Sequence, residues 1–188
     1  MQKKIKKIIS SNIETIKSLE QQIDKIQIII SQIIKSLERG GKILICGNGG
    51  SASQSQHFSA ELVGRFKKER KPLAAIALTT DTAILTALGN DFGFEEVFSK
   101  QILALANKED TIIFLSTSGN SSNLIKASEV AQSIGAYTVG ILGKGGGKLK
   151  DKVKTALVVD SQEVPRIQEA HSLIIHIICE LIEEEIFN

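Results

Sequence analysis

From Lys42 onward the chain keeps returning to short apolar runs, at residues 42–46, 73–78, 111–115, 137–141 and 155–159. Between most of them lie segments with helical periodicity, at 51–66, 82–88, 94–106 and 121–133. Runs this short and this uniformly apolar fit strands buried on both faces, and crossovers this long fit parallel rather than hairpin connections. The predicted fold is therefore α/β, a five-stranded parallel sheet with helices on both faces. A chain of 188 residues with 42% hydrophobic content can bury one such core. No linker or internal repeat divides it, so residues 1–188 read as a single domain. Ligands on open sheets of this kind gather at the carboxyl ends of the strands.

A long helical segment precedes the sheet. The first glycine is Gly40, no proline comes before it, and Ile16, Leu19, Ile23, Ile26, Ile30, Ile33 and Leu37 recur at alternating three- and four-residue intervals. That is the spacing of a coiled-coil or bundle seam. Such a stripe must be buried, on its own domain or on a neighbouring chain. Isoleucine at nearly every position, ahead of a sheet that begins only afterwards, favours a subunit contact, with 1–39 as a helical oligomerisation segment. After Pro165 a final helix is apolar on nearly every side from residue 173 to 182, which marks a buried element. His171 and His176 therefore fall in an interior or interface helix.

The balance of 23 basic and 21 acidic residues gives a formal charge of +2, too small to imply a nucleic-acid surface. Lys3, Lys4, Lys6 and Lys7 read as a solvated helix face. Cys46 and Cys179 have no C-x-x-C spacing, so free buried thiols in a reducing compartment, the cytoplasm, are expected. Polar Ser10, Ser11 and Asn12 follow the basic start, which argues against a secretory signal. The densest apolar run, 26–34, is interrupted by Gln27, Ser31 and Gln32 and is too short to span a bilayer.

Two turns at strand ends carry chemistry. Gly47-Asn48-Gly49-Gly50-Ser51-Ala52-Ser53 follows the first strand and enters a helix, where bare amides and the Ser51 and Ser53 hydroxyls suit an anion or a sugar hydroxyl. Ser116-Thr117-Ser118-Gly119-Asn120-Ser121-Ser122 follows the third strand and combines five hydroxyls with helix N-terminal amides, a setting for a phosphate dianion. Ordinary N-capping would need only one such residue. Neither loop has the glycine pattern of a nucleotide or dinucleotide site. Lys144-Gly145-Gly146-Gly147-Lys148 lacks a hydroxyl cluster and reads as a flexible surface loop.

His57 and Glu61, four residues apart, share one helical face beyond the first glycine turn. Such pairs also occur as plain surface contacts. A metal would need further ligands, for which the last helix offers Gln168, His171 and His176. The two histidines are separated by about 140° around the helix, so at most one faces a given site, and spacing alone does not choose between them.

Gly47-Asn48-Gly49-Gly50-Ser51-Ala52, then Gln56-His57-Phe58 and Glu61-Leu62-Val63-Gly64-Arg65, resemble bacterial phosphoheptose isomerases, which use the sugar isomerase (SIS) fold. Arg166-Ile167-Gln168-Glu169-Ala170-His171 with Ile174-Ile175-His176 is similar to the last-helix signature of that family, and Thr79-Thr80-Asp81-Thr82-Ala83 and the stretch Ala87 to Phe98 also follow its pattern. The resemblance spans most of the chain from Gly47 to Glu184. It implies zinc, one per subunit, held by His57, Glu61, Gln168 and His176. Gln168 and His176 are about 12 Å apart along a helix, so their side chains must reach toward each other or come from different subunits. The resemblance also implies sugar contacts from Asn48, Gly49, Gly50, Ser51, Glu61, Asn90, Asp91 and Gln168, and phosphate contacts from Ser116, Thr117, Ser118 and Ser121. By chemistry alone Asn90-Asp91 reads as a turn behind a C-capping glycine. The main departure is Ser53-Gln54-Ser55, where the family more often has alanine and aspartate.

The implied activity is conversion of D-sedoheptulose 7-phosphate to D-glycero-D-manno-heptose 7-phosphate through an enediol. That step supplies heptose to the lipopolysaccharide core, and the family suggests a homotetramer. Glu61 and His176 are the candidate acid-base pair. The alternative is a noncatalytic SIS module that binds a phosphosugar or a replication initiator. Modules of that kind commonly lack the full reactive set that His57, Glu61, Gln168 and His176 would make.

Overall fold

The computed structural model describes residues 1–188. Its strands are β1 (Ile43–Gly47), β2 (Ala75–Ala77), β3 (Thr111–Ser116), β4 (Tyr137–Leu142) and β5 (Thr155–Val158), and its helices are α1 (Gln2–Ser18), α2 (Ile23–Glu38), α3 (Gly50–Val63), α4 (Thr82–Phe92), α5 (Ser99–Leu105), α6 (Ser122–Ile134) and α7 (Val164–Phe187). All five strands are parallel, in the order β2-β1-β3-β4-β5. Ile43 stands opposite Thr111, and Thr111 opposite Tyr137, so the central strands start level with one another.

Strand residues alternate between two cores, as the period-2 pleat requires. Ile43, Ile45, Ile113, Leu115, Val139, Ile141 and Leu157 face α2, α3 and α7, while Leu44, Cys46, Ile112 and Phe114 face α5 and α6. Because the chain starts at β1, goes to the β2 edge and then returns to β3, its winding reverses between β1 and β3. The crevice outside the carboxyl ends of these two strands is where such sheets bind ligands. Both turns singled out above open into it.

Some boundaries differ from expectation. Leu73 donates its amide to Leu62 O of α3 rather than to the sheet, which trims β2 to Ala75–Ala77. Gly93, at φ +91°, ends α4, and a 3-10 turn over Phe94–Glu96 precedes α5. Asn90-Asp91 thus lies in the last turn of α4 rather than in a turn after it. No residue of α4 is buried, although Ile84 and Phe92 are apolar.

The N-terminal segment corrects the seam reading. It is two helices broken by a 3-10 turn at Leu19–Gln22, and α2 buries Ile26, Ile29, Ile30 and Ile33 against its own sheet and α7. A three-four stripe fits a sheet face as well as a partner helix, which is why spacing alone misled. Ile23, at 59% exposure, is left on the rim. The first helix is tied to the start of α7 by polar contacts: Arg166 Nη1 donates to Ile8 O (2.8 Å) and Asn12 Nδ2 to Glu169 Oε2 (2.5 Å). Its Ile5, Ile8, Ile9 and Ile13 remain exposed.

No helix is long and apolar enough to cross a membrane. Cys46 and Cys179 are free and buried, and burial pushes both thiols up, which leaves them unreactive.

Candidate active site

Gly49 takes φ +55° and ψ −121°, a conformation closed to side chains, and this lets the chain turn sharply from β1 into α3. Asn48 and the buried Asn123 exchange two amide hydrogen bonds of 2.9 Å each, and so clamp the first loop to the first turn of α6. Asn48, expected on a sugar hydroxyl, therefore has much of its amide engaged within the protein. The sequence carried no signal for Asn123, because an amide pair across two loops has no spacing rule.

In the second loop Ser116 Oγ accepts from Gly119 N (3.0 Å) and Ser118 Oγ from Asn120 N (3.2 Å), so these two hydroxyls shape the turn. Ser121 is the N-cap of α6 yet makes no capping hydrogen bond with its side chain. Its hydroxyl remains available beside the helix N-terminus, together with that of the half-buried Thr117.

The triple glycine is not the surface loop expected. Residues 145–147 all have positive φ inside a run of 3-10 turns, Lys144–Lys152, packed under the hydroxyl loop. Leu149 N donates to Gly119 O (2.9 Å) and Lys148 N to Asn120 Oδ1 (3.0 Å). A Cβ on Gly119 would overlap the Gly146 carbonyl, and one on Gly147 the Ser118 carbonyl. Glycine is needed here for close backbone approach, a reason as specific as binding.

On the other face of the sheet, α3 and α7 lie side by side and bring distant residues together. His57 Nε2 is 3.1 Å from Glu61 Oε1, and 3.2 Å from His176 Nε2. Phe66 also lies beside His176, with ring centroids 5.6 Å apart at 39°. His176, rather than His171, therefore belongs to this cluster. His171 is fully buried, and neither ring nitrogen has a partner at hydrogen-bonding geometry. Desolvation pushes its imidazole down to about 4, opposed only by the nearby Leu142 backbone.

Gln168 does not join the cluster within one chain. Two turns before His176, its amide stands against Gly50, where an added Cβ would overlap it. Gln54, the point of departure from the family pattern, donates to Gln168 O (2.6 Å) and to Ser172 Oγ (3.0 Å), holding α3 to α7 at that level. Gly50, Gln54, Pro165, Gln168, Glu169 and Ser172 line a shallow, open polar depression of about 270 Å³. Asn90 and Asp91 are exposed on α4, where Asn90 Nδ2 donates to Asp91 Oδ1 (2.8 Å).

Two imidazoles and a carboxylate make a donor set that suits catalytic zinc. Here His57 touches both others in a row, and no three His, Cys, Asp or Glu side chains already surround one centre. The chemistry of the donors fits a metal, while the fourth expected ligand stands apart.

Residues 9–143 match the SIS domain family. The phosphoheptose isomerase of Helicobacter pylori (strain P12) is 55% identical over 167 residues, 89% of this chain and 87% of that protein. That of Geobacter metallireducens (strain GS-15) is 47% identical over 189 residues, covering all of both chains. Among solved structures, phosphoheptose isomerase GmhA from Neisseria gonorrhoeae superposes with a TM-score of 0.92 at 39% identity, over 97% of this chain and 98% of that one. With the strand order, the two clamped loops and the His57-Glu61-His176 cluster in place, this chain belongs to the SIS-domain family, among its phosphoheptose isomerases.

Proposed function

We propose that this protein is an aldose-ketose isomerase that converts D-sedoheptulose 7-phosphate to D-glycero-D-manno-heptose 7-phosphate. The observation that carries the reading is the meeting of His57, Glu61 and His176 between α3 and α7. A module that only binds phosphosugar has no use for such a cluster.

Thr117 and Ser121, with the amides at the start of α6, hold the phosphate. Ser116 and Ser118 keep the loop in shape for it. Gly49, Gly50, Ser51 and Gln168 line the path of the sugar, with Asn90 and Asp91 as further hydroxyl partners. Glu61 takes a proton from C1 of the ketose as the C1–C2 double bond forms, and His176 gives a proton to the carbonyl oxygen at C2. His176 then takes the proton from the C1 hydroxyl, the C1 carbonyl forms, and Glu61 returns its proton to C2. Oε1 of Glu61 meets His57, which leaves Oε2 for the carbon-bound proton.

A zinc ion would draw on His57, Glu61 and His176, with Gln168 a ligand only by way of another subunit, and a Glu61 or His176 atom bound to the ion would not be the one that moves a proton. When bound, zinc supplies a Lewis acid that polarises the carbonyl. The same reading makes the protein a cytoplasmic homotetramer that feeds lipopolysaccharide core heptose. Support for assembly comes from the exposed isoleucines of α1 and from α4, an apolar helix with nothing buried.

The test follows the carbon-bound hydrogen. In deuterated solvent the parent should exchange the C1 hydrogen of sedoheptulose 7-phosphate and form the aldose, and Glu61→Gln should lose both by roughly 10²–10⁴-fold. Exchange at the parent rate in Glu61→Gln would take the base role away from Glu61.

A further inference from the structure

The loop at residues 64–72, between α3 and β2, runs over the C-terminal half of α7 and is held there by one buried ion pair. Glu183, 2% exposed, accepts from three successive amides, Phe66 N (3.1 Å), Lys67 N (2.8 Å) and Lys68 N (2.6 Å), and from Arg70 Nε (2.9 Å). The Arg70 side chain is equally buried. Its Nη1 donates to the carbonyls of Leu62 (2.9 Å), Gly64 (3.1 Å) and Lys71 (3.2 Å), and its Nη2 to that of Glu61 (2.8 Å). Burial raises the Glu183 carboxyl, but the three amides and the guanidinium outweigh it and hold the group below the usual range.

Two features distinguish this pair from an ordinary latch. One partner grips the main chain of Glu61 itself, and the other grips the main chain of Phe66, whose ring lies on His176. A buried ion pair is an inefficient way to gain stability, since well-packed apolar residues often do as well. It is an efficient way to fix geometry, because a planar fork and a carboxylate accept only a narrow set of orientations.

We propose that Arg70 and Glu183, acting through Phe66, are positioning residues for the proton transfers, setting the backbone of Glu61 from one side and the ring of His176 from the other. This rests on the roles assigned above to Glu61 and His176. His57 also meets His176, so the imidazole has two ring neighbours, Phe66 and His57, with centroids 5.6 and 5.2 Å away.

The experiment uses the full-length protein and four variants, Phe66→Leu, Phe66→Tyr, Arg70→Lys and Glu183→Gln. Each is read by kcat and KM on sedoheptulose 7-phosphate and by the ring-proton shifts of His176 in NMR. Phe66→Leu keeps apolar packing but removes the ring. It should shift the His176 signals and lower kcat by about tenfold, short of the roughly 10²-fold that a 1 Å misplacement can cost, with KM nearly unchanged. Phe66→Tyr should restore both. Arg70→Lys and Glu183→Gln should move the same signals, and one of them that folds is sufficient to test the pair. Unmoved His176 signals in Phe66→Leu, or moved signals with parent kcat, would overturn the proposal. If Glu61→Gln and His176→Gln retain parent turnover, the function reading fails instead, and the NMR shifts still report whether Phe66 sets the ring.

Discussion

His57 and His176, 119 residues apart in sequence, meet Nε2 to Nε2 at 3.2 Å. In that contact one ring donates and the other accepts, so each fixes the other's tautomer. Because Glu61 Oε1 also meets His57 Nε2, at 3.1 Å, two atoms crowd around that one nitrogen, and the three compete for a single proton or ion. The crowding results from α3 and α7 packing side by side on one face of the sheet, and not from any loop that could rearrange freely.

If this crowding marks a metal position, His57 is its centre. His57→Ala should reduce zinc retained after gel filtration from about one ion per chain toward none, measured by elemental analysis, without loss of fold by circular dichroism. His171→Leu should leave zinc content unchanged, since that ring lies in the core. Equal zinc in His57→Ala and the parent would show the metal to be held elsewhere.

The phosphate assignment turns on Ser121. Its hydroxyl is not used for capping, so Ser121→Ala should leave thermal stability near that of the parent. It should raise KM by about 10- to 100-fold, the size of a hydrogen bond to a charged group, roughly 1.5–3 kcal/mol. Ser116→Ala should differ, since losing the bond to Gly119 N also loosens the turn. Unchanged KM in Ser121→Ala would move the phosphate away from this loop.

The sequence made some of this legible and hid the rest for identifiable reasons. Strands buried on both faces appear as bare apolar runs, so the sheet and the two loops at the β1 and β3 ends could be read directly. The His57-Glu61 spacing put both on one face of α3, but spacing did not choose the α7 histidine; the family resemblance pointed to His176, and packing brings it to them. The isoleucine stripe was ambiguous because a sheet accepts the same periodicity as a partner helix. Gly145-Gly146-Gly147 gave no sign of its role, since the carbonyls of Ser118 and Gly146 that exclude a Cβ lie 28 residues apart in sequence. Nothing in the sequence sets Arg70 and Glu183 apart in a chain that is 23% charged.

The corrected stripe changes what a mutation there should do. Ile30, 6% exposed, belongs to the core, and Ile30→Lys should destabilise the chain itself by burying an unpaired charge. Ile23 and Leu181 instead lie on the rim of an apolar groove of 480 Å³ between α2 and α7, with exposures of 59% and 38%. Lysine at both should convert an oligomer to smaller species in sedimentation while each chain stays folded. A parent that sediments as a monomer at micromolar concentration would remove the subunit contact from the account.

His171 should make stability depend on pH in a defined window. The unfolded imidazole gains its proton as pH falls through 6.5, whereas the buried ring resists protonation down to about 4. Between those values the unfolded chain binds more protons, so stability present above pH 6.5 is lost as the solution is acidified. The loss from one such group approaches about 1.4 kcal/mol per pH unit in the middle of the window. Glu183, held below its ordinary value of 4.5, adds a loss of the same sign only at lower pH, so measurements between pH 6.5 and 5 separate the histidine from it. His171→Leu keeps the site apolar and has nothing to protonate. Urea midpoints for the parent should fall over that range more steeply than those of His171→Leu, at one fixed protein concentration. Parallel slopes would mean that the ring is protonated or solvated in the folded protein, and that the core around α7 is more open than its packing indicates.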